Sequence, residues 1–152
     1  MPAVETKNFG KVPYEPGAEI EFPNGLPAFE DRRRFVLIRI PETYPLLFLQ
    51  SLDEPNVCFP VLRAMDVDPL YRLHLTKEDL RRLSLPTSRQ PRVGEGIECL
   101  VVVALRKGGA TANLLAPVVI DFRKMQALQA VSEGAYSLQY PLKTPGKAGA
   151  CS

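Results

Sequence analysis

The sequence predicts a mainly β fold, a small antiparallel β-barrel-like domain (a pseudo-barrel) with one or two short helices. Three observations carry this. Short apolar or alternating runs recur roughly every ten residues, the spacing of an all-β barrel or sandwich. The 15 prolines among 152 residues stand between those runs, as strand and turn punctuation, and form no tract. Only one stretch carries the start and stop signals of a helix. The length fits a single domain with a sizeable core, assigned to residues 1–142. The Gly/Lys/Pro-rich "KTPGKAGACS", residues 143–152, is expected to be a disordered tail.

The elements follow in order. In "AEIEF" Ala18, Ile20 and Phe22 alternate with Glu19 and Glu21, the pattern of a half-buried strand. Pro23, Gly25 and Pro27 end it, because proline lacks the N–H donor and glycine admits positive φ. "RFVLIRI", "LLFLQS" and "VCFPVL" are three more strand-length runs, and Pro60 in the last predicts an edge strand or a bulge. "YRLHL" alternates again, with Tyr71, Leu73 and Leu75 inward and Arg72 and His74 outward. "LTKEDLRRL" predicts a helix of about two turns: Thr76 is a good N-cap, Asp79 completes a weak capping box, and Leu75 and Leu80 stand at staple positions. "IECLVVVALR" reads as a central strand, Gly108-Gly109 as a hairpin turn, and "TANLLAPVVIDF" as a return strand broken at Pro117. "MQALQAVSEGAYSLQY" suits either a helix over Lys124–Val131 or two strands turning around Ser132–Ala135, and the strand context favours the hairpin.

Composition excludes several classes of function. A net charge of +2 gives no reason to expect a polyanion partner. Charge is unevenly spread: residues 1–30 hold two lysines against five glutamates, and residues 61–152 hold thirteen cations against eight acids. Cys58, Cys99 and Cys151 show no CxxC spacing, and with no secretory signal they point to reduced thiols in a cytoplasmic protein. The longest apolar run, "CLVVVAL", is far too short to span a bilayer, so no membrane partner is expected.

Catalytic chemistry finds no support. His74, the one histidine, sits on an outward strand position with no nucleophile beside it. One histidine and three dispersed cysteines form no ligand set, so neither metal nor cofactor is expected. Cys58 and Cys99 read as small core residues. The three arginines of "EDRRRF" are the one candidate for anion recognition, but Glu30 and Asp31 beside them favour an ion-paired turn. Direct binding of single-stranded RNA through Arg32, Arg33, Arg34, Arg81 and Arg82 is the alternative to hold against that reading.

Five segments in order then point to a family: "FPNGLPAFED" with "RRFVLI", "LLFLQSLDEPNVCFPVL", "YRLHLTKEDLRRL", "TANLLAPVVID" and "LQAV…YSLQYPL". Together they resemble the flagellar assembly factor FliW family of bacteria over residues 18–142. The resemblance implies a cytoplasmic, non-enzymatic regulator that binds newly made flagellin and also the translational repressor CsrA. In that scheme free flagellin occupies the protein. Once flagellin is exported, the released protein antagonises CsrA without occupying its RNA site, so synthesis follows export.

The expected partner-binding residues are Glu15, Glu19 and Glu21 on the acidic segment, Leu26 and Phe29 in the "PNGLPAFE" corner, and Gln50, Ser51, Asp53 and Glu54 in "LQSLDEP". For that corner a fold-specifying role, with Leu26 or Phe29 plugging the barrel end, is weighted above direct contact. Two features depart from the family pattern: Ala28 stands where glycine is usual, and "FRKMQALQ" lacks a glycine common before its first glutamine. The family is also often acidic, whereas this chain is +2.

Overall fold

The structure, a computed structural model, describes residues 2–26, 31–132 and 136–142. Phe29, the tail 143–152 and most of the turn expected around Ser132–Ala135 lie outside these residues. Seven strands form a closed ring: β3 (Ile20–Glu21), β4 (Arg34–Arg39), β5 (Leu47–Ser51), β6 (Cys58–Arg63), β7 (Ile97–Arg106), β9 (Val118–Asp121) and β10 (Gln126–Gln129). Neighbours run β3-β4-β5-β6-β7-β9-β10, and β10 meets β3 to close it. Beyond residue 102, β7 continues past the ring and pairs with β8 (Gly109–Ala112), which carries β11 (Tyr140–Pro141) on its other edge.

The junctions are antiparallel except the last. At β3–β10 a parallel pairing of Gln126 with Glu21 makes the seam, and the Glu21 N–H donates to the Met125 carbonyl at 3.0 Å. Met125 holds φ +54°, in the left-handed region. This is the residue before Gln126, where the resemblance marked a missing glycine. A non-glycine residue there costs about 1–2 kcal/mol. The Met125 side chain packs on the barrel interior, which offsets part of that.

The interior is solid. Ile20, Phe22, Phe35, Leu49, Val61, Leu100 and Ile120 are at most 1% exposed and form one cluster. Phe22 and Phe35 meet edge to face at 5.1 Å. Burying each such side chain contributes about 1.5–3 kcal/mol. Three satellites cover the outer faces. The hairpin of β1 (Ala3–Thr6) and β2 (Gly10–Pro13) packs Val4 on Val36 and Ile38 of β4. Residues around α1 (Ala64–Val67), Tyr71 and Tyr140 cover Cys99 and Val101 of β7. The helix α2 (Lys77–Arg82) lays Leu80 against Ile97, Val119 and Leu128.

The predicted helix is present with both parts of its capping box: Thr76 Oγ1 accepts from the Asp79 N–H at 3.0 Å, and Asp79 accepts from the Thr76 N–H at 3.3 Å. Its other end is a Schellman turn, with Leu85 N–H to Leu80 O at 2.8 Å and Ser84 N–H to Arg81 O at 2.9 Å. Ser84 takes φ +56° to make it. Lys124 Nζ then donates to the Leu83 and Ser84 carbonyls at 3.0 and 2.7 Å, tying the helix end to the β9–β10 turn.

Three expectations need correction. "YRLHL" keeps its alternation, with Tyr71 and Leu75 buried and Arg72 and His74 exposed, but it is no strand. The Gln90 amide takes the place of a neighbouring strand, accepting from the Leu75 N–H at 2.7 Å and donating to its carbonyl at 2.9 Å. Pro60 lies between two strands and not on an edge. The Ser51 N–H to Val57 O bond sets the phase, so Pro60 turns its missing donor toward β7, whose ladder with β6 begins only at Val61. The last hairpin is paired differently: β10 returns along β9, and β11 joins β8, so the two runs are strands but not partners. The single turn of α1 carries no periodic signal and was not foreseen.

Two outcomes follow. Ser84→Gly relieves left-handed strain at an exposed site and is expected to raise stability by about 1 kcal/mol, a melting shift of roughly 2–4 °C by calorimetry. Asp121 has a fully buried carboxylate. Burial raises its pKa, but the hydrogen bonds and charge of Arg123 outweigh this and, with Lys124, hold it below the usual carboxylate range. Its contribution is therefore complete above the unfolded value near pH 4 and is lost as pH falls through the lower folded value. Asp121→Asn is expected to cost about 1–3 kcal/mol at pH 7 and to flatten the acid limb of urea stability measured against pH.

Candidate functional site

At one end of the ring β4, β6 and β9 begin and β3, β5 and β10 finish, while β7 runs on beyond it. This mouth gathers most of the residues singled out in the sequence. The turn Phe22-Pro23-Asn24-Gly25 closes with Gly25 N–H to Phe22 O at 2.8 Å, and Gly25 supplies φ +66°. It delivers Leu26, 5% exposed, into the interior cluster. Beside it Arg34 bonds Asp53 at 3.0 Å and lies 3.8 Å from Glu19, which also accepts from the Tyr14 hydroxyl at 3.1 Å. Glu21 is exposed opposite Arg34 in the β3–β4 register. Glu15 is exposed ahead of the short 3-10 turn Pro16–Ala18.

Gln50 and Ser51 do not face a partner, because both are buried, at 1% and 0% exposed. They build the turn that follows. Ser51 Oγ accepts from the Asp53 and Glu54 N–H groups, both at 3.0 Å. Gln50 Nε2 donates to the carbonyls of Ser51 at 3.0 Å and Pro55 at 3.3 Å. The Pro55 carbonyl also accepts from the Lys7 N–H at 3.2 Å, so the β1–β2 hairpin is tied to the same turn. Asp53 is left exposed and Glu54 half-exposed at the rim.

Between the mouth and the projecting β7–β8 arm lies a groove of about 310 Å³. Leu26, Leu49, Phe59, Val102, Val118 and Leu138 give it apolar walls, and Arg106, Thr111, Asn113, Gln129 and Gln139 give it a polar margin. Leu138 is 55% exposed there. Asn113 caps the loop after β8, its Oδ1 accepting from the Leu115 and Ala116 N–H groups at 3.1 and 3.0 Å. Gln129 Nε2 donates to the Ala116 carbonyl at 2.9 Å. Most of these lining residues escaped sequence reasoning. Whether Phe59 or Val118 faces in or out depends on register, which no single strand announces. The exposed leucine of "YSLQY" was the available signal.

Among the described residues the groove lining holds no histidine, cysteine or carboxylate. Elsewhere burial pushes the Cys99 thiol up to about 12, and burial also raises the half-buried Cys58 thiol, so both are protonated at neutral pH. His74 is exposed. Among the described residues no three His, Cys, Asp or Glu side chains are placed to hold a metal ion. Among the same residues no helix is long and apolar enough to cross a membrane. The arginines do not form one basic face: Arg34 is engaged by Asp53 and Glu19, while Arg81 and Arg82 on α2 both pair with Glu78, at 3.6 and 3.3 Å.

Fold and site together define a small closed-barrel protein whose most developed surface is a binding groove. Comparison with known proteins sharpens this. The FliW protein profile matches residues 3–145. A flagellar assembly factor FliW from Geotalea uraniireducens (strain Rf4) is 34% identical over 140 residues, covering 91% of this chain and 82% of the relative. One from Syntrophomonas wolfei is 30% identical over 140 residues, covering 91% and 87%. A crystal structure of the flagellar assembly factor FliW superposes with a TM-score of 0.80 at 25% identity, covering 95% of this chain and 99% of that one. The chain belongs to the FliW family.

The two kinds of residue in the β5–β6 turn are separable by urea denaturation. Ser51→Ala removes the side-chain acceptor of the Asp53 and Glu54 N–H groups from a fully buried position and is expected to cost about 1–3 kcal/mol. Asp53→Ala removes only an exposed ion pair and is expected to cost under about 1 kcal/mol.

Proposed function

We propose that this chain is a flagellar assembly factor that works as a non-enzymatic binding protein in the cytoplasm. It binds flagellin, and it binds the translational repressor CsrA when flagellin is absent, so that flagellin synthesis follows export. The observation that carries this reading is the family match across residues 3–145. The groove supports it physically: apolar walls within a polar margin are the anatomy of a protein-recognition surface. In this reading Glu15, Glu19, Glu21, Asp53 and Glu54 are the charged contacts beside the groove. Leu26, Gln50 and Ser51 act from behind the surface as its scaffold. Phe29 belongs to the same corner segment. Direct RNA binding by Arg32, Arg33, Arg34, Arg81 and Arg82 gains nothing from the ion pairs these residues make.

Size-exclusion chromatography with purified partners tests the switch. A complex with CsrA that added flagellin dissolves is the expected result. Co-elution with neither partner at tens of micromolar, roughly the reach of a −6 to −7 kcal/mol interaction, would sink the proposal. Leu138→Glu places a charge on the exposed groove wall. It is expected to leave the melting temperature unchanged and to weaken flagellin binding at least about tenfold.

A further inference from the structure

A second cleft, of about 270 Å³, lies between the 85–97 loop and the β9–β10 turn, and its chemistry is unlike that of the groove. Arg89, Arg92 and Arg123 all line it, and Glu95 is the one acid among its lining residues. Arg123 is held in place. Its Nε and Nη2 donate to the buried Asp121 carboxylate at 3.0 and 3.3 Å, and its backbone N–H adds a third bond at 2.9 Å. Gly96 makes room for it, since a Cβ there would come within 2.7 Å of the Arg123 Cδ. Gly96 also sits at φ +84° and accepts from the Phe122 N–H at 2.8 Å, which locks the loop to the turn.

The opposite wall is fixed as well. The paired bonds between the Gln90 amide and Leu75 anchor the residue that follows Arg89, two positions before Arg92. The cleft therefore presents guanidinium groups from two immobilised segments, with Leu85, Pro86 and Pro91 as apolar walls.

The charges select the ligand. Arg123 at 3.0 Å and Lys124 at 3.9 Å share the single charge of Asp121, and Glu95 lies 3.8 Å from Arg92. Among the described residues Arg89 has no ion-pair partner, so the cleft carries an excess of positive charge. A carboxylate, with two acceptor oxygens, suits the planar guanidinium groups that line it. A nucleic-acid backbone is held by cations along a tract, which one cleft does not supply.

We propose that this cleft is a carboxylate-binding site that seats an acidic side chain of a partner protein between Arg89 and Arg92, with Arg123 as its fixed wall. The site stands apart from the groove and does not depend on the groove's reading.

The test is a nitrogen-15 NMR titration of the full chain at low salt with three probes: the capped peptide Gly-Gly-Glu-Gly, its Gln isostere, and inorganic phosphate. The acidic peptide is expected to shift the Arg89 and Arg92 Nε–H signals and the Gly94 and Gly96 amides saturably. Arg89→Gln is expected to weaken that binding about tenfold, and Arg106→Gln, in the groove, to leave it unchanged. Absence of a saturable shift, an equal response to the isostere, or an unaffected Arg89→Gln variant would overturn the proposal. Phosphate binding as tightly as the peptide would overturn the carboxylate assignment.

Discussion

The ring is closed by its weakest joint. β3 contributes two residues, and its bond to the turn before β10 is the Glu21 N–H reaching the Met125 carbonyl. That contact requires Met125 to sit in the left-handed region. Closure lets Ile20 and Phe22 on one side and Ala127 on the other share an interior with Phe35 and Leu100. A barrel with an open seam would wet that interior, and the energy of the joint lies mostly in the side chains behind it. The satellites follow from closure too. Each needs a curved outer face to cover, and α2 spans β7, β9 and β10, which pair in that order along the ring.

Local chemistry was readable before the structure, and long-range geometry was not. The capping box at Thr76 and the break at Pro117 depend on residues a few positions apart, and both appear as written. The alternation of "YRLHL" correctly gave its buried residues and wrongly gave a ladder, because burial has a period but a partner strand does not. Gln90 could not be foreseen as that partner, since a glutamine in a proline-rich loop looks like solvent-facing filler. Pro60 misled for a related reason. A missing N–H rules out a central position only if that N–H would have met a neighbour, and that depends on where the β6–β7 ladder starts.

The site was readable in the same uneven way. The turn at 22–26 and the turn "LQSLDEP" lie far apart in the chain, yet both stand at the same mouth, where Arg34 of β4 bonds Asp53. Which members are presented and which are scaffold was not readable. Gln50 and Ser51 are polar and look exposed, but a tight turn beside a barrel needs buried acceptors and donors for its own backbone, and these two supply them. The acidic rim is thus held by uncharged residues, and an uncharged substitution behind it can move the charges in front.

The order of the strands in the ring also has a temporal meaning. From β3 to β7 each strand joins the one before it, so this meander can assemble as the chain leaves the ribosome. Its two outer edges, β3 and β7, stay open until β9 and β10 arrive and bridge them. The pairing of Gln126 with Glu21 spans the greatest sequence distance in the ring and bears its largest loop-closure entropy. For as long as that pairing is pending, the nascent chain exposes Ile20, Phe22 and Leu100, which are at most 1% exposed afterwards. This member of the FliW family thus has its own interval of vulnerability, which ends when residues 118–129 dock.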